Sequence, residues 1–141
     1  MSLADDLIIF LPADRISTKT ADLELASHDE SSCSPSLPEI VVWPLNTKEV
    51  SQVVRYAYEH AMPLTARGAG SSLEGNPIPV RGGIVLDLSR MDQIVTVHVG
   101  DLQVTVQPGI VYNQLNEQLK PYGLFFSPSP GGSSDVATVG G

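Results

Sequence analysis

The sequence predicts an α+β fold in which a small mixed sheet is flanked by helices, and three observations carry that expectation. A β-branched and aromatic run, Ile40-Val41-Val42-Trp43, is closed by Pro44 and followed at once by a helical period. Two further short apolar runs, Leu64-Thr65-Ala66 and Ile84 to Leu88, frame a glycine-rich stretch. Two alternating runs, Ile94 to Val99 and Leu102 to Gln107, then face each other across Gly100-Asp101 before a second helical period.

Taken in order, residues 3 to 11 fit one short amphipathic helix, whereas 12 to 36 mix small, polar and charged residues with Pro35 and no sustained period. Residues 1 to 36 therefore read as a helix and an irregular lead-in to a domain at 37 to 141. In the helix after Pro44, Asn46 caps the first turn with Glu49 three residues on, and Val50, Val53, Val54, Ala57 and Ala61 share one face before Pro63. Gly100-Asp101 suits a two-residue hairpin turn with glycine first, which puts Val95, Val97 and Val99 on one face and Leu102, Val104 and Val106 on another. Pro108-Gly109 ends the hairpin, and Val111, Leu115 and Leu119 line one side of a helix that stops before Pro121 and Gly123. From Phe125 the chain is rich in Ser, Pro and Gly, with no closing strand or helix expected.

Composition bounds the function. A chain of 141 residues suits one core, able to bury roughly two thirds of its unfolded surface. With 42% hydrophobic and 17% charged residues it is a folded chain and not a disordered one. The net charge of −8 repels DNA, RNA and anionic lipid, so no nucleic-acid partner is expected. Cys33 is the sole cysteine, which excludes an internal disulfide and a multi-thiolate zinc site and suits a reducing compartment, the cytoplasm. No stretch is long enough to span a membrane. The five apolar residues Leu7 to Leu11 follow Asp5 and Asp6, unlike a secretory signal.

The chemistry concentrates in Thr65-Ala66-Arg67-Gly68-Ala69-Gly70-Ser71-Ser72-Leu73-Glu74-Gly75-Asn76-Pro77. Glycines let backbone amides approach an anion, and the hydroxyls of Ser71 and Ser72 add donors. A dinucleotide turn of the G-x-G-x-x-G type opens a helix, which Pro77 and Pro79 forbid here. A P-loop needs Lys and Ser or Thr after its last glycine, where this chain has Asn76-Pro77. What remains is a loop that wraps a diphosphate with backbone amides beside the Arg67 cation, a contact worth about 4 kcal/mol at an effective dielectric of ~20 before desolvation. The same segment also reads as a plain tight connection between two strands.

Five ordered blocks favour the cofactor reading. Pro44 with Glu49-Val50, Ala66 through Gly75, Gly83 through Met91, Val106-Gln107-Pro108-Gly109 and Ala137-Thr138-Val139-Gly140-Gly141 resemble the FAD-linked oxidase family of glycolate oxidase flavin subunits and D-lactate dehydrogenases. The resemblance runs from about Pro38 to the last residue and implies the first α+β subdomain of a PCMH-type (vanillyl-alcohol-oxidase type) FAD-binding domain. It implies that Arg67, Gly68, Ala69, Gly70, Ser71, Ser72 and Gly75 wrap the FAD diphosphate and that Pro44 lies near the adenine. It further implies that Pro128, Thr138, Gly140 and Gly141 lie along the cofactor. Some relatives attach flavin to a histidine in the glycine loop; Ser71 stands there in this chain, which implies non-covalent FAD.

The implied activity is dehydrogenation of a 2-hydroxy acid of the glycolate or D-lactate type, with hydride transfer to FAD. Such proteins continue into the rest of the FAD domain and a substrate domain, so this chain is expected to be an amino-terminal portion ending at Gly141 and to show no turnover alone. No catalytic or metal-binding residue is assigned. Two alternatives stay open: a non-catalytic fragment, and a flavoprotein oxidising another alcohol on the same fold. Apolar surface meant for the remaining half would favour self-association or a partner subunit. His28, His60 and His98 are expected to be structural or solvated, Cys33 an ordinary thiol, and Trp43, Phe125 and Phe126 core residues.

Overall fold

The structure, a computed structural model, describes residues 3 to 140. The chain runs through α1 (Leu3–Leu7), β1 (Ile16–Ser17), α2 (Thr20–Ala26), β2 (Ile40–Val42), α3 (Thr47–Glu59), β3 (Leu64–Arg67) and β4 (Ile84–Asp87). It then continues through β5 (Ile94–His98), β6 (Gln103–Val106) and α4 (Tyr112–Leu119). Four strands form one sheet in the order β1-β2-β4-β3, and β5 and β6 form a separate antiparallel pair.

β2, β4 and β3 run parallel, with Ile40 opposite Ile84 and Arg67 opposite Asp87. Parallel strands covered on both faces need apolar side chains on both, which is why Ile40-Val41-Val42 and Ile84-Val85-Leu86 are unbroken apolar runs and fully buried. On one face Ile40, Val42, Ile84 and Leu86 pack against Val53, Tyr56 and Ala57 of α3 and against Leu7 and Leu11. On the other, Val41 and Val85 pack under Ala26 and Leu23 of α2, with Trp43 at the edge. The α3 cap forms as its sequence predicts: Asn46 Oδ1 accepts from the Glu49 N–H at 3.0 Å. The Glu49 carboxylate in turn accepts from the Leu45 N–H at 2.8 Å and from both Arg15 guanidinium nitrogens.

Several expectations are corrected. The amino-terminal helix stops at Leu7 and not at residue 11, because Leu11 turns inward to the sheet core, where it is 1% exposed. The stretch at 12 to 36, read as irregular, contains β1, which pairs antiparallel with β2, and α2, which covers the second sheet face. Elements of two and seven residues are too short to show a period, so their burial is visible only in three dimensions. The hairpin turn spans four residues, 99 to 102: Val99–Asp101 form a 3-10 turn and Leu102, not glycine, takes the left-handed conformation at φ 54°.

A bulge between Ile94 and Thr96 also shifts the hairpin's faces. Ile94 and Val97, three residues apart, reach the core around Ile110, Leu115 and Leu119 together with Val104 and Val106. Val95, Val99 and Leu102 are left exposed. The tail forms no strand or α-helix among the described residues, as expected, but a single bridge ties it beside residues 108 to 111: Val111 pairs with Thr138, Val139 N–H donates to Ile110 C=O, and Gly140 N–H donates to Pro108 C=O, both at 2.9 Å.

Candidate functional site

The parallel strands end together at Trp43, Arg67 and Asp87, and loops leaving a parallel sheet at its carboxyl edge create a crevice there. The loop from β3 to β4 divides it. On one side a cleft of about 200 Å³ is lined by Ala66 through Ser72, by Asn76 and Pro77, and by Leu88 and Gly140. On the other a cleft of about 450 Å³ shares Arg67 through Gly70 and is lined by Asp22, His28, Glu30, Trp43 and Asp87. The smaller cleft has hydroxyls, an amide side chain and no carboxylate in its wall, which suits an anion; the larger is acidic apart from Arg67.

The loop's shape is set locally. Gly70 sits at φ 73°, a left-handed conformation that favours glycine, and a Cβ there would in addition push aside the end of the Arg67 side chain. Arg67 Nη1 donates to the His28 carbonyl at 2.7 Å. Burial lowers the Arg67 pKa while Asp87 and Asp29 oppose that shift; the guanidinium stays charged. Ser72 Oγ is hydrogen-bonded to Asn76 Oδ1 and accepts from the Glu74 N–H at 3.1 Å, tying the loop across its bend.

Of the residues expected along a cofactor, the structure brings Arg67, Gly68, Ala69, Gly70, Ser71, Ser72 and Gly140 to one cleft wall. Gly75 lies just beyond, where its N–H donates to Asp29. Thr138 is buried two positions before Gly140 of that wall, and Pro44 is buried at the end of β2; neither lines the two clefts. Pro128 is exposed in the tail and lines neither. Gly141 lies outside the described residues. His60 stacks on Tyr56 with ring centroids 4.1 Å apart, His98 is exposed on β5, and Cys33 is exposed beside Gly75. Trp43 is half-buried under the Arg90 guanidinium, Phe126 is half-buried near Tyr112, and Phe125 is 74% exposed. Sequence reading missed Asp29, Asp22, His28 and Glu30, which precede the recognisable blocks and have no motif of their own.

With this geometry in view, comparison with known proteins defines the class. A family model described as an FAD binding domain matches residues 38 to 141, and the chain belongs to that family. It is 38% identical over 101 residues to the mitochondrial D-lactate dehydrogenase [cytochrome] of Arabidopsis thaliana, an alignment that covers 72% of this chain and 18% of that protein. It is 36% identical over 115 residues to the glycolate oxidase subunit GlcD of Bacillus subtilis (strain 168), covering 82% of this chain and 24% of that one. Among solved structures, alkyldihydroxyacetonephosphate synthase superposes with a TM-score of 0.87 at 21% identity, covering 96% of this chain and 27% of that one. That likeness shows a shared fold, the α+β FAD-binding fold the blocks imply. The chain thus spans about a quarter or less of the relatives it matches. FAD is the family's cofactor, and no helix among the described residues is long and apolar enough to cross a membrane.

The residues present fit that group. Thr138 Oγ1 is buried with no hydrogen-bond partner among the described residues, two positions before Gly140 of the cleft wall. Ser71, Ser72 and Asn76 bring polar side chains to the same cleft wall as Arg67. When bound, FAD supplies the two-electron acceptor that no side chain provides.

Proposed function

We propose that this chain supplies the diphosphate-holding part of an FAD domain in a flavoprotein that dehydrogenates a 2-hydroxy acid of the D-lactate or glycolate type. The observation that carries this is the wall from Arg67 to Ser72, which brings backbone, the Ser71 hydroxyl and one cation to a cleft without carboxylates, with the Ser72 hydroxyl bracing the loop. Arg67 is held by the His28 carbonyl and offsets phosphate charge; the amides from Gly68 to Ser72 and the Ser71 hydroxyl donate to phosphate oxygens; Gly140 closes the site from the tail. No histidine lines the smaller cleft, which supports non-covalent binding. The names of the relatives, a D-lactate dehydrogenase and a glycolate oxidase subunit, support the substrate class. The lone cysteine supports a reducing compartment such as the cytoplasm, while the plant relative carries a mitochondrial name.

The test is the visible spectrum of the chain after incubation with excess FAD and desalting. Flavin bands should remain on the wild type and be lost from Gly70→Val, whose β-branched side chain strains the left-handed backbone at φ 73° and displaces Arg67; equal flavin on both contradicts the assignment. For the substrate, a dye-linked assay with D-lactate and with glycolate should show no turnover by the 141 residues alone, since no side chain in either cleft is assigned a catalytic role. Turnover with one acid and not the other would name the substrate and overturn the non-catalytic reading of this chain.

A further inference from the structure

Three consecutive residues touch the glycine loop at three separate points. The His28 carbonyl accepts from Arg67 Nη1 at the loop's start, at 2.7 Å. Glu30 N–H donates to the Ser72 carbonyl in its middle, at 3.0 Å. Between them, the Asp29 carboxylate accepts from the Gly75 N–H at its end, at 2.8 Å, where Gly75 holds φ 75°. Asp29 is 7% exposed and its other oxygen is occupied by the Ser31 N–H and hydroxyl, so the carboxylate is fully engaged. It lines neither cleft, whereas His28 and Glu30 both face the larger one. These residues lie before position 38, outside the region matched as the FAD-binding domain.

We propose that Asp29 is a positioning residue for cofactor binding, the centre of a three-point staple formed by residues 28 to 30 that fixes the loop from Arg67 to Gly75 in its binding shape. The proposal rests on the reading of that loop as the diphosphate cradle. A loop of glycines and serines loses much conformational entropy when it closes on a ligand, and a scaffold that has already ordered it lowers that cost. A buried carboxylate suits the task because it accepts several N–H and O–H bonds at once, where a neutral side chain would leave a donor unsatisfied. The Ser31 hydroxyl, with the Ser31 and Gly75 amides, holds Asp29 below the usual carboxylate range, so it is ionised wherever the protein is folded near neutral pH. Its charge is spent on the loop's underside and not presented to the ligand.

The test compares wild type, Asp29→Ala, Asp29→Asn and Gly70→Val in two measurements on the full chain: FAD affinity by flavin fluorescence, and amide hydrogen exchange without cofactor. Asp29→Ala should weaken FAD binding about tenfold or more and speed exchange across 68 to 76, leaving α3 and β4 protected. Asp29→Asn, which keeps the shape and one acceptor for Gly75 but loses the second, should restore part of the affinity and keep the fold testable should the alanine variant melt. Wild-type affinity and exchange in both Asp29 variants, with binding lost in Gly70→Val, would overturn the staple alone. Equal loss in Asn and Ala variants, with exchange raised throughout the chain, would make Asp29 a global stability residue and also overturn it. FAD binding that survives Gly70→Val, or is absent from the wild type, would overturn the reading of the loop itself.

Discussion

The two halves of the molecule bury their apolar residues very differently. The parallel sheet is covered on both faces, by α3 and the α1 segment on one side and α2 on the other, and its central strands are sealed. The β5–β6 hairpin is covered only by α4 and the tail, and its outer residues Val95, Leu102 and, nearby, Phe125 are 62, 76 and 74% exposed. The same residue types thus stabilise one region and decorate the other. The glycine loop lies at the seam, rooted in the sealed sheet and facing Gly140 of the open half.

The largest effect should come from the sealed region. Ile84→Ala empties a site with no exposure in the middle of the sheet and is expected to cost about 2–5 kcal/mol in urea unfolding. A cost below that of an exposed substitution would contradict the picture of one central core. Next, Glu49→Ala should destabilise by about 3 kcal/mol, because it strands the Arg15 guanidinium, which is buried, and removes the acceptor for Leu45. Full stability in Glu49→Ala would mean that the lead-in is not held to α3 through this pair.

Acid should act through the same anchors. Desolvation raises the Glu49 pKa, but the Arg15 and Leu45 hydrogen bonds outweigh it and leave it lowered; Asp29 is lowered through Ser31 and Gly75. A carboxyl with a lowered folded value stabilises above its unfolded pKa, roughly 4, and loses that stabilisation as pH falls through the folded value. Thermal stability should therefore hold from neutral to about pH 5 and fall below it, more shallowly in Glu49→Gln; an unchanged slope in that variant would contradict the assignment. The smallest effect belongs to the hairpin: Leu102→Gly relieves a left-handed leucine and should leave stability unchanged or raise it by up to about 1 kcal/mol. Paired with Phe125→Ser it should also reduce self-association on gel filtration, and identical elution at all concentrations in the wild type would contradict that role of the open face.

The same contrast explains what could be read in advance. β2, β4 and α3 were legible because burial on both faces writes a continuous apolar run and a long cap-and-stripe pattern into Ile40–Val42, Ile84–Asp87 and Asn46–Glu59. The glycine loop stood out by composition, with Arg67, three glycines and two serines, but that composition fits a plain strand connection equally well, and only the five ordered blocks favoured a cofactor. β1 and α2 were not legible, being too short for a period and defined by partners distant in sequence. The β5 bulge was not, because Val95, Val97 and Val99 alternate in sequence while the pairing slips between Ile94 and Thr96. Asp29 was hidden for a different reason: its role comes from a contact with Gly75, 46 residues away.

The central claim is that the loop from Arg67 to Gly75 holds a diphosphate. Comparing the affinities of FAD and FMN for the purified chain tests it most directly, since both carry the same flavin and only FAD carries the diphosphate and adenosine. FAD should bind about tenfold more tightly or better, a difference of about 1.4 kcal/mol or more, and the difference should vanish in Gly70→Val. Equal affinities for FAD and FMN in the wild type would contradict it.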